Sequence, residues 1–274
     1  HGVGAGDQSN DWKATLSRTL ESIGYPSLSG VEVIAPLYSD SLKGVDKEKD
    51  LPKIHIKELK GEEAASHART FELRTSHLEK RLGFHSGGKR GEFGEVAADA
   101  ALRVKKVEQA RNYLKERKVR PYVLDLIVDT LPDSGSIVIV AHSLGSVIVS
   151  DLIRRLPPEV HVSGLITIGS PLGALPTKTL EALTPLTQPP TNLDWWVNVW
   201  NGRDPVVFGR GIGRHFPWAL DIQSDTGNRV RAHAGSSYLS GPTVAKTIGY
   251  ALFGSLSKEI VRQEKSVDIA LTTV

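Results

Sequence analysis

The sequence predicts an α/β fold in which a mainly parallel central sheet is flanked by helices. The clearest sign lies at residues 136–156, where an apolar β-branched run stops at a short turn and a second apolar stretch begins at once. This pattern is typical of a buried strand that leads directly into a helix. Residues 162–168 and 195–200 form two further strand-like runs. Buried strands that are connected by helices indicate a parallel sheet.

The other elements follow from periodicity and from breaker residues. Residues 10–23 carry apolar side chains at helical spacing and end at Gly24, and residues 31–35 alternate like a strand that Pro36 closes. Together they predict a βαβ opening whose first strand precedes the sequence. The prediction is completed by an apolar helix over 121–131, a short strand over 219–223 and a final helix over 242–256.

Residues 40–120, here called the charged insertion, differ from the rest of the single domain that we expect over 1–274. Helices are predicted over 62–82 and 95–118, with a glycine-rich loop over 83–94 between them. An insertion at this place can act as a cap over an active site, and a solvated helical decoration is the alternative. Its histidines are spaced too widely to share a helical turn, which argues against a metal site. They are His55, His67, His77 and His85.

The composition narrows the class of protein. The chain has 274 residues, of which 39% are hydrophobic and 24% charged, which suits one domain with a substantial core. A net charge of +3, without a compact Lys/Arg run interleaved with aromatics, argues against nucleic acid as a partner. The absence of Cys excludes disulfides, thiolate metal sites and a cysteine nucleophile. No apolar run approaches the roughly 18 residues that span a bilayer, so no transmembrane segment is expected.

The chain contains no Met and begins at His1, inside a motif. We therefore expect that residues precede it. A signal peptide, if the protein has one, would lie among those residues and outside this sequence. A cytoplasmic location is the working expectation, and the sequence leaves the oligomeric state open.

The turn between the first predicted buried strand and its helix reads Ala141-His142-Ser143-Leu144-Gly145. This small-x-Ser-x-Gly pattern is a form of the nucleophile elbow, in which the backbone of the serine is strained and its side chain is lifted clear. Small residues at 141 and 145 let neighbouring backbone approach closely, and the helix N-terminus favours developing negative charge. An ordinary N-capping serine at a strand–helix junction is the alternative interpretation.

Four stretches spread along the chain carry a family resemblance. They are His1-Gly2-Val3-Gly4, the turn at 141–145, Gly169-Ser170-Pro171-Leu172-Gly173, and the late pair Asp204 and His233. On these residues the chain resembles serine hydrolases of the α/β-hydrolase superfamily, in particular the lipase-like branch related to GPI inositol-deacylases. The charged insertion carries no part of this resemblance.

The resemblance implies a catalytic triad of Ser143, Asp204 and His233, because serine, acid and histidine follow one another along the chain in the order of the superfamily. Asp204 comes just after the strand-like run at 195–200, where the superfamily keeps its acid, and His233 lies in a loop before the final helix. By the same resemblance, the backbone N–H groups of Val3 and Leu144 would form the oxyanion hole.

Other residues compete for these roles. Asp221 and Asp225 are rivals for the acid, whereas Asp194 precedes its strand and so belongs at the wrong end of the sheet. Ser170 is rejected as the nucleophile because Pro171 blocks the helix that an elbow needs.

Three further histidines are alternatives for the base. His215, in a loop rich in Gly and Arg, is the main rival of His233. His142 adjoins the serine and is too constrained to turn back onto it, and His161 precedes a strand at the other edge of the sheet.

The expected function is hydrolysis of a carboxylic ester by an esterase, lipase or thioesterase, through an acyl-enzyme formed on Ser143. The substrate would be a small-molecule or lipid-like acyl ester, and neither a metal nor an organic cofactor is expected. Two alternatives remain. One is a catalytically silent α/β-hydrolase that acts as a binding module, and the other is an amidase or acyltransferase that uses the same triad.

Overall fold

A computed structural model of the chain describes residues 11–83, 106–183, 185–224 and 231–256. In this part of the chain the strands form one parallel sheet in the order β1-β2-β3-β4. The strands are β1 (Gly135–His142), β2 (Val160–Ile168), β3 (Trp196–Trp200) and β4 (Leu220–Gln223).

Helices cover both faces of the sheet. In chain order the α-helices are α1 (Asp11–Ser22), α2 (Gly61–Leu82), α3 (Lys106–Lys115), α4 (Val119–Val128), α5 (Leu144–Leu152), α6 (Thr177–Glu181), α7 (Gly235–Leu239) and α8 (Pro242–Phe253). Short 3₁₀ turns lie at Ser41–Lys43, Ile153–Arg155 and Leu172–Ala174.

Two hydrophobic cores lie on opposite faces of the sheet because side chains alternate along each strand. Leu165 and Trp196 point into a core that they share with α3, α4 and α5. Their chain neighbours Ile166 and Val197 point into a second core that they share with α1 and α8. Burial on both faces explains why β2 and β3 have nearly continuous apolar sequences. The strand that the sequence predicts to be buried before Ser143 is β1, which ends the strand order and is partly exposed, with Val140 39% exposed. The described part of the chain is therefore an α/β structure with an all-parallel sheet.

The register of the strands brings their carboxyl ends to one edge. His142 at the end of β1 lies opposite Ile168 at the end of β2, and Ile168 lies opposite Val199 near the end of β3. The residues that follow these strands therefore meet at this edge. They include Ser143 after β1 and Asp204 a short way after β3.

Most of the predicted elements lie within a few residues of the observed ones. The strand predicted over 195–200 is β3, the polar helix predicted over 62–82 is α2, and the final helix ends at Phe253 rather than at 256. Of the helix predicted over 95–118, residues 106–115 form α3. Residues 95–105 lie outside the described part of the chain, as does almost all of the loop predicted over 83–94.

The prediction of a strand over 31–35, and with it the βαβ opening, is wrong. This segment is not a strand, and Val33 and Ile34 are 36% and 42% exposed. Alternating side chains provide the propensity for a strand, but the backbone also needs a neighbouring strand to pair with. Within the described residues, the strand pairs join only β1 to β4 and one isolated bridge elsewhere.

The helix α2 of the charged insertion packs where the strands begin. Arg74 on α2 forms a 2.6 Å ion pair with Asp194, just before β3. Phe71 on the same helix packs edge-on against Trp218, just before β4. These contacts lie at the edge opposite to Ser143. The cap function of the insertion stays a prediction.

Candidate active site

Ser143 occupies a strained turn between β1 and α5. Its backbone has φ 56° and ψ −127°, a conformation that residues with a side chain rarely adopt. The turn is held on both sides, because the Ser143 N–H donates to the carbonyl of Ile168 at 3.0 Å and the Ser146 hydroxyl donates to the Ser143 carbonyl at 2.6 Å. Parallel pairing and helix initiation together impose the strain that the sequence pattern predicts.

His233 joins the serine to the buried acid. Its Nε2 lies 2.9 Å from Oγ of Ser143, and its Nδ1 lies 2.9 Å from Oδ2 of Asp204. A carboxylate only accepts hydrogen bonds, so Nδ1 carries the proton and Nε2 is left to accept from the serine hydroxyl. The structure therefore brings together the three residues that the sequence proposed, in hydrogen-bonding order.

The acid is fully enclosed, whereas the histidine reaches solvent. The side chain of Asp204 is 0% exposed and that of His233 is 27% exposed, and Ser143 as a residue is 4% exposed. Oδ1 of Asp204 accepts the backbone N–H of Val206 at 2.8 Å, and Oδ2 accepts the hydroxyl of Tyr238 at 2.8 Å. Burial strengthens these hydrogen bonds because water does not compete for the carboxylate.

Gly169 leaves the space in which the acid and the histidine meet. Its φ is +56°, and a Cβ placed on it would lie 3.0 Å from Oδ2 of Asp204 and 3.4 Å from Nδ1 of His233. The Gly-Ser-Pro turn after β2 thus has a steric reason to begin with glycine.

His142, directly before the serine, supports the backbone of His233. Its Nε2 lies 2.9 Å from the carbonyl oxygen of His233, so this nitrogen donates, and the two rings lie 4.8 Å apart. Burial, and to a smaller degree the imidazole of His233, lowers the pKa of His142 from 6.5 to about 3. His142 is therefore neutral near pH 7, and it adds no positive charge beside Ser143 and His233.

Leu144 is the first residue of α5, so its N–H has no acceptor within the helix. The helix end also carries partial positive charge, which suits a developing oxyanion. Val3, the other predicted donor, lies outside the described residues, and its role stays a prediction.

The rival acids have other partners. Asp194 pairs with Arg74 and with His161, at 2.6 and 3.1 Å, at the edge where the strands begin. Asp221 on β4 accepts hydrogen bonds from the side-chain amide of Asn198 and from the N–H of Gly213, and burial raises its pKa. Asp225 lies outside the described residues.

The rival nucleophile and base are also engaged elsewhere. The Ser170 hydroxyl is buried, 2.7 Å from the hydroxyl of Ser146, and it accepts the N–H of Leu172. His215 packs against Phe216, and burial lowers its pKa. Among the described histidines, His233 is the one whose ring is hydrogen-bonded to the hydroxyl of Ser143.

Sequence reasoning missed the contact of Tyr238 with the acid. The two residues are 34 positions apart, and no spacing rule predicts that a tyrosine on a short helix will reach a carboxylate after another strand. The packing role of Gly169 was missed for the same reason, since it depends on three segments that are distant in sequence.

Other kinds of site are less evident in the described part of the chain. It holds no group of three or more His, Cys, Asp or Glu residues that could bind a metal ion. None of its helices combines the length and apolar character needed to cross a bilayer. A cavity of about 220 Å³ beside α6 and a groove of about 380 Å³ beside α2 are not lined by Ser143, Asp204 or His233.

No family model matches the chain, and neither does any curated protein or solved structure. The functional argument therefore depends on the geometry of the site itself.

Proposed function

We propose that the protein is a serine hydrolase that cleaves a carboxylic ester through Ser143, His233 and Asp204. One observation carries the proposal: a serine on a strained strand–helix turn is hydrogen-bonded to a histidine, which is hydrogen-bonded to a buried carboxylate, with both distances 2.9 Å. Nucleophile, base and orienting acid in this order are the arrangement from which acyl transfer to serine proceeds.

The first step follows from the proton positions. Nε2 of His233 takes the proton of the Ser143 hydroxyl while Oγ attacks the acyl carbonyl and forms the new C–O bond. Asp204 holds the imidazole in the tautomer that leaves Nε2 free to accept, and its charge stabilises the imidazolium that results. The imidazolium then gives its proton to the departing alcohol, which leaves an acyl-enzyme.

The second step reverses these roles with water. Nε2 of His233 takes a proton from a water molecule, the hydroxide attacks the acyl carbon, and the proton returns to Oγ of Ser143 as the acid departs. In both steps the N–H of Leu144 is placed to donate to the oxyanion, with Val3 as the proposed second donor. One such donor is typically worth roughly 3 kcal/mol of the barrier.

The same observations support the α/β-hydrolase fold as the finer class of this α/β protein. The parallel sheet carries its serine between a strand and a helix, and the acid follows a later strand at the same edge. A histidine in a loop before the last described helix completes the chain order of that superfamily. The proposed substrate is a small-molecule or lipid-like acyl ester.

Labelling with a fluorophosphonate probe tests the proposal. We expect the wild type to be labelled on Ser143, and Ser143→Ala and His233→Ala to lose labelling. Ser150→Ala is a matched control, because Ser150 is a buried serine on α5, the helix that follows Ser143, and its hydroxyl donates to the carbonyl of Val147. His215→Ala controls for loss of a histidine.

The outcomes separate the candidate functions. Labelling that persists in Ser143→Ala would place the nucleophile elsewhere, and an unlabelled but folded wild type would favour a binding module. If the wild type is labelled, paired ester and amide substrates with the same acyl group then distinguish an esterase from an amidase. An added alcohol acceptor reveals acyl transfer.

A further inference from the structure

Tyr238 on α7 makes a second contact with the acid of the candidate triad. The residue is 1% exposed, and its hydroxyl donates to Oδ2 of Asp204 at 2.8 Å. The same hydroxyl accepts the backbone N–H of Asn201 at 3.1 Å. Asn201 follows β3 directly, so the tyrosine connects α7 to the segment that carries the acid.

We propose that Tyr238 is a positioning residue, whose hydroxyl holds the Asp204 carboxylate in line with His233 and takes up part of its negative charge. The proposal rests on the proposed function of the triad, and it assigns to Tyr238 an effect on the base that is transmitted through the acid.

Three donors determine the orientation of the carboxylate. The N–H of Val206 holds Oδ1, while the Tyr238 hydroxyl and Nδ1 of His233 share Oδ2. Without the hydroxyl, Oδ2 would have the histidine as its only described partner, and the carboxylate could rotate toward Val206. A small misplacement of this kind lowers the rate because the reacting atoms must stay aligned.

The hydroxyl also modulates the charge that His233 experiences. A carboxylate that accepts an additional hydrogen bond interacts less strongly with an imidazolium, because its charge is shared. The groups that face His233 are Asp204, with Tyr238 behind it, and His142 across the ring. Among these, Tyr238 can be altered by one oxygen atom without a change in ring packing.

Tyr238 stays protonated under assay conditions. Burial raises the pKa of its hydroxyl above the ordinary value of 10.0, and the charge of Asp204 raises it further. The hydroxyl is therefore a donor to the carboxylate throughout the pH range of the assays.

The test compares Tyr238→Phe with Tyr113→Phe. Tyr113 on α3 is also fully buried, and its hydroxyl donates to a buried carboxylate, that of Asp151, at 2.9 Å. Both variants lose a buried hydrogen bond from a tyrosine hydroxyl to a carboxylate, and Tyr238→Phe also loses the one from the Asn201 N–H, so both should lose stability. Only the first loses it beside the triad.

Two measurements are expected to separate the variants. In hydrolysis of p-nitrophenyl butyrate, Tyr238→Phe should lower kcat about 3- to 30-fold with KM within about twofold, and Tyr113→Phe should change neither. The acid limb of the pH profile should move up by about half a pH unit in Tyr238→Phe, since His233 faces a less shared negative charge.

The second measurement does not need activity. The imidazole of His233 is followed by NMR titration and assigned with His233→Gln, and its midpoint should rise by about half a pH unit in Tyr238→Phe alone. If the wild type neither hydrolyses esters nor reacts with a fluorophosphonate, the proposed function fails, and this titration still decides the role of Tyr238.

An unchanged kcat and an unchanged His233 titration in a folded Tyr238→Phe would overturn the proposal and leave Tyr238 a packing residue. Should that variant fail to fold, Tyr238→3-fluorotyrosine keeps the shape and makes the hydroxyl a stronger donor. The His233 midpoint should then fall, and an unchanged or higher midpoint would equally overturn the proposal.

Discussion

Asp204 and Asp151 are two buried aspartates in similar surroundings. Each accepts a hydrogen bond from a buried tyrosine hydroxyl, at 2.8 and 2.9 Å, and each lies beside a side chain that can carry positive charge. For Asp151 on α5 this side chain is Arg120, whose Nε and Nη2 donate to the two carboxylate oxygens at 2.6 and 2.8 Å. Nε of Arg155 lies 3.7 Å from Oδ1 of Asp151.

The difference between them lies in the basic partner and in what this partner contacts next. Arginine is permanently charged, and Arg120 continues to the backbone carbonyl of Ala182, where no proton can move. His233 is an imidazole, which can both take up and give up a proton, and it continues to Ser143 on a strained backbone. A buried carboxylate with a tyrosine is therefore a structural clamp in one place and part of a candidate active site in the other.

The largest effect expected from this comparison comes from replacing each acid by its amide. Asp204→Asn should lower kcat for an ester roughly 10³- to 10⁴-fold, because the histidine loses the partner that holds its tautomer. Asp151→Asn should instead lower the free energy of unfolding by about 3–5 kcal/mol, because it leaves two arginines beside a neutral group. Steady-state kinetics and urea unfolding measure the two quantities.

The comparison of the two aspartates is contradicted if Asp151→Asn loses activity and Asp204→Asn loses stability. An Asp151→Asn variant that is folded but inactive, or an Asp204→Asn variant that is active but unstable, would mean that the first cluster is the functional one. Circular dichroism of each variant at the assay temperature provides the control, because it separates loss of fold from loss of rate.

A smaller effect is expected from the glycine that borders Asp204. Gly169→Ala places a methyl group 3.0 Å from the Asp204 carboxylate and from the Tyr238 ring, and should lower kcat roughly 10- to 100-fold through misalignment. Gly135 is the matched control, since it also has a positive φ but has nothing within 4 Å of an added Cβ. Gly135→Ala should lose stability and keep its rate. Equal kcat in the two variants, by ester hydrolysis, would contradict the steric role of Gly169.

The features that could be predicted from the sequence depend mainly on residues that are close together in the chain. Ser143 was predictable because an elbow needs only an apolar strand, a small residue on each side and a helix, all within about 20 residues. Asp204 and His233 were proposed by resemblance and chain order, and the structure places both beside the serine. Leu144 follows the nucleophile directly, so its position was determined along with the elbow.

The features that sequence reasoning missed depend on packing between distant segments. The contact of Tyr238 with Asp204 requires α7 to dock against the end of β3, and periodicity carries no information on docking. The strand predicted over 31–35 fails for the converse reason, since its local pattern is right and the pairing partner that a strand needs is not found among the described residues. The bounds of the charged insertion could be predicted from its composition, but its packing against the rest of the protein could not.

The smallest expected effect is the pH dependence of stability that arises from His142, the histidine in contact with His233. His142 has a pKa of about 3 in the folded state and 6.5 as its ordinary value, so the unfolded chain binds more protons between these limits. The contribution of His142 to stability is therefore complete above pH 6.5 and is lost as the pH falls toward 3. Between pH 6.5 and 4.5 this amounts to roughly 2–3 kcal/mol.

His142→Gln should flatten the stability curve over this range, because the amide keeps a donor for the carbonyl of His233 and does not titrate. Urea unfolding at steps of pH between 4.5 and 7 measures the slope. His161→Gln, at the opposite edge of the sheet, keeps His142 and should retain the steep fall. The arginines beside Asp151 stay charged throughout, so that cluster cannot produce such a slope through its cations. If the slope persists in His142→Gln, the titrating group is another residue. The surroundings of Asp204 and of Asp151 would then not differ in the pH dependence of their stability.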